Sequence, residues 1–387
     1  MKNRIIWLYP RFTTWMGGSR FVFEVLSLLK QQYDVLLVVQ REKRQITDEL
    51  RAGGIDVLCL DTPSFTEVRF WLMLDRIIRD NERRLRNILS RGDILISSMF
   101  PMNVLARRFE YPHIQIIYEP FALFYNRAFQ KNLGLSTCVF FRAVSALFAD
   151  KDIQSVNKAD VVLTLSEYER ANSLRVYGRD SHVTYEGVDT DHFRPRVERE
   201  ISRKYEGFNI VFHSTAYDPY KGTDLLIKAI PLVIEECPNT RILISHTRVS
   251  KKKLHGYLKY LEDHSASAHV EFLGFLDYAV LPAYYTLADI YVEPGFGRSM
   301  SLSSKEANAC GTPSLRGDTG TEDTIDGVTG ILTSSRDETQ LAENIIKLLK
   351  NTPLRERLGE NARKHVLEQY TWGAVVNRID SHIERFI

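Results

Sequence analysis

The chain has 387 residues, enough for two domains that each bury a core of their own. Hydrophobic residues make up 44% and charged residues 26%, which excludes a disordered chain, and a net charge of +2 gives nucleic acid no electrostatic footing. Cys59, Cys138, Cys237 and Cys310 stand far apart, without the paired spacing of zinc or redox sites, as expected in a reducing compartment. The apolar run at the N-terminus is too short for a signal peptide, and no stretch of about 18 apolar residues suggests a membrane span, so the expected location is the cytosol.

Arg4 to Tyr9 reads as a buried strand, followed by a loop with Gly17-Gly18 and an apolar helix from Ser19 to Lys30. Asp34 to Gln40 and Ile55 to Leu60 are further strands, so strand and helix alternate as in a doubly wound sheet. Between Val68 and Arg91 seven arginines face three acids, interleaved with Phe70, Trp71, Leu72, Leu74, Ile77 and Ile78. That pattern fits a basic amphipathic helix on an anionic bilayer, and equally a solvated helix with its apolar stripe on the core. Asp93 to Ser98 and His113 to Tyr118 are the next strands, the second running into YEPFALFY, Tyr118 to Tyr125. The apolar stretch Val139 to Phe148 is too short to span a membrane and is either core or a lip for a greasy ligand. Asp160 to Leu165 returns to strand, and a helix capped by Ser166 ends at Gly178.

EGVDTDHFRP, Glu186 to Pro195, precedes a polar, charged linker from Arg196 to Gly207. Asn209 to Ser214 opens a second alternating series, with Arg241 to Ser245 and the start of VEFLGFLDYAVLPAYYTLAD as its next strands. Ala288 to Glu293 is a short buried strand, Pro294 to Ser301 a loop with two glycines, and Leu302 to Cys310 a helix stopped by Gly311. Backbone N–H groups of such a loop and the dipole at the helix start favour a phosphate, which places Ser299, Met300, Ser301 and Leu302 at an anion site. Helices over Glu338 to Lys350, Leu354 to Gln369 and the last residues close the chain. From the residues alone follow two alternating α/β halves with phosphate-binding loops in the second, a nucleotide-handling enzyme.

KEANACGTP, Lys305 to Pro313, resembles part of the donor site of glycosyltransferase family 4, the retaining enzymes with the GT-B fold. In that family seven residues lie between two glutamates; with Glu306 as the second, Arg298 takes the place of the first. FHSTAYDPYKGTDLLIKAI resembles the family's strand, loop and Lys-Gly helix, with Lys221 as the diphosphate cation, while Thr215 and Ala216 stand where an arginine is usual. YEPFALFY resembles the segment after the fifth strand, with Tyr118 in place of a histidine that faces the reacting sugar and with Glu119 and Pro120 matching. EGVDTDHFRP resembles the family's interdomain junction, with Glu186 for asparagine. Asp189-Thr190-Asp191 also has the form of a metal-binding dyad, but such a dyad belongs inside a donor domain, not before a linker.

The resemblance implies an α/β, GT-B protein of two Rossmann-like, doubly wound domains facing a central cleft. Residues 1–195 would bind the acceptor, 196–371 the nucleotide-sugar donor, and 372–387 would form a helix crossing back to the first domain. It implies transfer of a sugar from a nucleotide-diphosphate co-substrate to a saccharide or lipid-linked acceptor, with no metal and no resident cofactor. Lys221, Glu306 and Tyr118 are the catalytic candidates. Thr215, Lys221, Gly274, Phe275, Arg298, Ser299, Met300, Ser301, Leu302 and Glu306 are the donor candidates, and Gly17, Gly18, Tyr118 and Glu119 the acceptor candidates. Glu306 would accept from the ribose hydroxyls, and Gly274 and Phe275 would lie at the base. Arg298 has three readings: a substitute cation for the diphosphate, a reader of an acidic sugar, or a solvated loop residue. A lipid-linked acceptor fits peripheral contact at the inner face of the membrane. The alternatives are a sugar-nucleotide epimerase of the same fold and a non-catalytic carbohydrate-binding relative.

Overall fold

Ile5, Ile6, Trp7 and Leu8 are fully buried in the first strand, β1 (Arg4–Phe12), as a strand covered by helices on both faces requires. The computed structural model describes residues 3–15, 17–60, 62, 67–125, 135–215, 221–246, 250–295, 301–318 and 322–387. They fall into two units, Met1–Glu186 with Trp372–Ile387, and Gly187–Thr371.

The first unit contains a parallel sheet of β1, β2 (Asp34–Glu42), β3 (Asp56–Cys59), β4 (Ile94–Ser98), β5 (His113–Ile117), β6 (Val161–Thr164) and β7 (His182–Val183), in the order β3-β2-β1-β4-β5-β6-β7. The second contains β8 (Asn209–Thr215), β9 (Thr240–His246), β10 (Val270–Gly274), β11 (Ile290–Glu293), β12 (Ser314–Gly317) and β13 (Gly330–Thr333), in the order β10-β9-β8-β11-β12-β13. Each order reverses once, between β1 and β4 and between β8 and β11. In a doubly wound sheet the C-terminal ends of the strands at that reversal are where ligands bind.

Gly17 and Gly18 do not form a loop; they are the first turn of the helix Gly17–Leu29. Glycine is needed at 18 for space, because a Cβ there would lie 2.7 Å from the Tyr9 hydroxyl. The arginine-rich segment is two helices, Glu67–Leu72 and Leu74–Arg86. Its apolar stripe of Phe70, Trp71, Leu74, Ile77 and Ile78 is buried, as in the solvated-helix reading, but Val68 and Leu72 remain 51% and 78% exposed. Val139 to Phe148 lies within the long helix Leu135–Lys158, where Phe141, Val144 and Phe148 enter the core and Val139 and Leu147 point out. Ser166 caps its helix by accepting from Glu169 N–H, and Gly178 ends it in the left-handed conformation.

Gly187–Pro195 lies with the second unit: Val188 bridges to Thr371, and Phe193 packs against Tyr278 and Tyr285. The final helix, Trp372–Ile383, buries Val375, Val376, Ile379 and Ile383 in the core of the first unit, where Tyr33 donates to Asp380 at 2.6 Å. Among the described residues no helix is long and apolar enough to cross a membrane.

Candidate functional site

In the second unit, β11 delivers Glu293 to its C-terminal end, and three donors meet one oxygen of that carboxylate. Lys221 Nζ donates to Glu293 Oε2 at 2.9 Å, the Tyr291 hydroxyl at 2.9 Å and the Ser301 hydroxyl at 2.7 Å. Arg316, the register partner of Glu293 on β12, places its guanidinium 3.6 Å from Oε1 and 3.1 Å from Asp323. Burial alone would push the Glu293 carboxyl up, but the charges of Lys221 and Arg316 and the hydrogen bonds from Lys221 and Ser301 pull it down to about 2. Glu293 is therefore ionised and enclosed, whereas the Lys221 side chain keeps 21% of its surface exposed.

The backbone around this cluster is held by two glycines. Gly222, the left-handed N-cap of the helix Thr223–Glu236, and Gly317 clasp Pro294 and Gly295 between them. A Cβ on Gly222 would meet Gly295 N at 2.7 Å and one on Gly317 would meet Gly295 O at 1.9 Å, so neither position admits a side chain. His213 supports the same floor from β8, bonding Val292 O at 2.6 Å and Thr223 Oγ1 at 2.9 Å through its two ring nitrogens. Its burial lowers the imidazole pKa to about 4, so the ring is neutral and adds no charge.

Of the sequence candidates, Lys221 and Ser301 come together, 3.3 Å apart. Ser301 is 1% exposed and caps the helix Leu302–Ala309 by accepting from Ser304 N–H, so its hydroxyl serves Glu293 and the helix. Leu302 is the first residue of that helix, and Glu306 follows a turn later, where Tyr285 donates to its Oε2 at 2.9 Å. Gly274 ends β10 at a register shift with positive φ, and Phe275 beside it is 67% exposed, so its ring is not part of the core. Arg298, Ser299 and Met300 lie outside the described residues, as does Ala216; Thr215 ends β8.

In the first unit Gly18 and Tyr118 meet, a Cβ on Gly18 falling 3.3 Å from the Tyr118 ring, and Gly17 lies 3.7 Å by the same measure from Glu186 Oε1. Burial raises the Tyr118 pKa well above its ordinary value, so the phenol is neutral. Its hydroxyl is buried near Ser98 without a hydrogen bond of ordinary geometry. Glu119 is exposed just beyond β5. Asp189 Oδ1 accepts from His192 N–H at 3.0 Å in a tight turn, and no metal-holding group of three or more acidic, histidine or cysteine side chains occurs among the described residues.

Sequence reasoning missed Glu293, Tyr291, Arg316 and Asp323. The signal for Glu293 was a glutamate at the end of a strand immediately before Pro294, passed over because it lies farther from Glu306 than the family spacing allows.

Residues 196–365 match the family model described as glycosyl transferases group 1. Over 245 residues, 59% of its length, the chain is 29% identical to the GDP-mannose-dependent monoacylated alpha-(1-6)-phosphatidylinositol monomannoside mannosyltransferase of Corynebacterium glutamicum. A match to the GDP-mannose-dependent alpha-(1-6)-phosphatidylinositol monomannoside mannosyltransferase of Mycolicibacterium smegmatis has 28% identity over 56% of the chain. The chain spans 62% and 60% of the length of these two relatives. Beyond the matched residues, the fold is similar to that of a glycosyltransferase from Rickettsia africae at TM-score 0.77 and 16% identity, covering 99% of this chain and 98% of that one. Anabaena HepE in complex with UDP gives TM-score 0.78 at 15% identity, covering 99% and 100%. These likenesses identify the fold, GT-B, as the sequence led one to expect.

Proposed function

We propose that the protein is a metal-independent, retaining glycosyltransferase whose group 1 domain binds a nucleotide-diphosphate sugar and whose first unit binds the acceptor. The observation that carries this reading is Lys221, a partly exposed ammonium beside the left-handed glycine that starts a helix, at the C-terminal strand ends where the sheet order reverses. A point charge and helix N–H groups there suit a diphosphate leaving group, whose developing charge they stabilise. Glu306, held by Tyr285, presents its carboxylate to the ribose, and the exposed Phe275 lies at the base. Gly17, Gly18, Tyr118 and Glu119 form the acceptor edge of the first unit. HepE is described in complex with UDP and with UDP and glucose, and the Corynebacterium and Mycolicibacterium relatives as GDP-mannose-dependent, so the candidate donors are UDP and GDP sugars.

A thermal-shift panel of UDP, GDP, ADP and their sugars tests this, since a ligand of the native state raises its melting temperature. One nucleotide series should stabilise the protein, and no shift across the panel defeats the proposal. Free nucleoside diphosphate released without any acceptor would favour the epimerase or a hydrolase. Nucleotide binding without turnover over a broad acceptor panel would favour the carbohydrate-binding relative.

A lipid-linked acceptor and peripheral contact at the inner face of the membrane extend the proposal. They are supported by the exposed Val68, Leu72, Val139 and Leu147 in the first unit, near a helix with Arg83, Arg84 and Arg86 in its last turn. The protein should sediment with anionic liposomes at low salt and detach as salt rises. Remaining in the supernatant at low salt would remove the membrane contact.

A further inference from the structure

We propose that Glu293 is a built-in competitor for Lys221, a carboxylate that holds the ammonium while the site is free of nucleotide and releases it to an incoming diphosphate. The proposal rests on the reading of Lys221 as the diphosphate cation.

Three donors converge on Glu293 Oε2, from Lys221, Tyr291 and Ser301. A carboxylate oxygen has about two lone-pair sites, so one donor is in excess. Tyr291 and Ser301 are buried, one within β11 and the other at a helix N-cap; only Lys221 combines partial exposure with a flexible stem. Lys221 is the donor that can leave. When it does, Glu293 keeps two hydroxyls and the charge of Arg316, whose place across the β11–β12 register prevents it from following. Arg316 is 4% exposed and anchored at its other side by Asp323, itself fully buried. The arrangement therefore supplies Glu293 with a permanent cation and Lys221 with a temporary anion.

The consequence is a lower affinity for the nucleoside diphosphate than Lys221 alone would give, because one charge-assisted bond is exchanged for another rather than gained outright. A competitor of this kind favours release of the spent nucleotide after transfer. It also keeps the ammonium aimed and desolvated on one side before the donor arrives.

Isothermal titration with UDP, GDP and ADP of the wild type, Glu293→Gln and Arg316→Met tests the proposal, with folding checked by circular dichroism. Glu293→Gln keeps the shape and an acceptor oxygen but removes the competing charge, and should bind the nucleoside diphosphate about tenfold more tightly. Arg316→Met should weaken binding by a similar factor, because Glu293 is left with Lys221 as its one close cation among the described residues. A merely structural role would weaken both, so equal or weaker binding by Glu293→Gln overturns the proposal. Should Glu293→Gln fail to fold, Glu293→Asp, whose shorter side chain draws the carboxylate back from Lys221, decides instead, and equal or weaker binding there overturns the proposal. Wild type that binds none of the three nucleotides defeats the transferase reading itself. Wild type that binds and loses affinity in Lys221→Ala, without the gain in Glu293→Gln, defeats only the competitor.

Discussion

Each unit buries several carboxylates, and two of them, one from each unit, are treated in opposite ways. Asp152 in the first unit is 2% exposed and accepts from Asn103 and from the hydroxyls of Tyr125 and Tyr177, the latter two at 3.0 and 3.1 Å. All these donors are neutral, and burial raises the Asp152 pKa. Glu293 in the second unit is equally enclosed, but with Lys221 and Arg316 beside it the pKa falls to about 2. The strand orders of the two sheets around these residues are nearly the same. Topology therefore does not decide what a buried acid does; the charge of its partners does. Asp152 ties helices together, whereas Glu293 sits in a cluster whose cation reaches solvent.

The largest effect should come from removing that cation. Lys221→Ala is expected to lower turnover by about two to three orders of magnitude, the range for losing one charge-stabilising donor. Turnover within a factor of two of wild type would remove Lys221 from the chemistry and leave the two carboxylates alike in being structural.

The histidines sharpen the comparison, because here the two units agree. His113 on β5 and His213 on β8 are both buried, and burial lowers each pKa to about 4. A base with a depressed folded pKa binds fewer protons folded than unfolded, so its contribution is intact above about 6.5 and is lost as pH falls toward 4. Between pH 8 and 5 each should remove about 2 kcal/mol of stability. Urea melts of wild type and His213→Gln should show a shallower pH slope in the variant by that amount; identical slopes would mean that His213 is protonated in the fold.

Replacing the acids by amides should separate them again. Asp152→Asn replaces a carboxyl that no cation faces among the described donors, and should leave stability at pH 7 unchanged or raise it by about 1 kcal/mol. Glu293→Gln should lower it by about 1 to 3 kcal/mol, because Arg316 loses one of two counter-ions in a buried site. The Glu293 contribution is present above about 4.5 and lost as pH falls toward 2, so the cost of Glu293→Gln should shrink in acid. The same cost for both amides would erase the distinction.

The fold was legible because parallel strands covered on both faces must be largely apolar, as residues 5–8 and 94–96 are. The two-residue β7 carries too short a signal to be read. Gly17 and Gly18 looked like a loop because local sequence shows conformational freedom and not the Tyr9 hydroxyl that requires a small residue in a helix. Lys221 and Ser301 were singled out as candidates from the pattern around them. Glu293 and Arg316 were not, because what makes them a pair is the β11–β12 register and the 72-residue reach from Lys221, neither of which leaves a mark at neighbouring positions.

The smallest expected effect, and the one that brings the comparison to the first unit's own edge, is Tyr118→Phe. The Tyr118 ring packs edge-on against Phe21 at 5.5 Å, and that contact survives the substitution. The hydroxyl, buried and without a well-formed bond, contributes no stability and costs some desolvation, so the variant should be as stable as wild type or up to about 1 kcal/mol more stable. If the hydroxyl meets the acceptor, turnover should fall by about tenfold at unchanged nucleotide affinity, the size of one neutral hydrogen bond. Those two readouts moving in opposite directions would mark Tyr118 as a group held unsatisfied for a ligand. A drop in melting temperature would show instead that the phenol bonds within the fold, and an unchanged turnover would leave the first unit's edge with packing as its only use for this tyrosine.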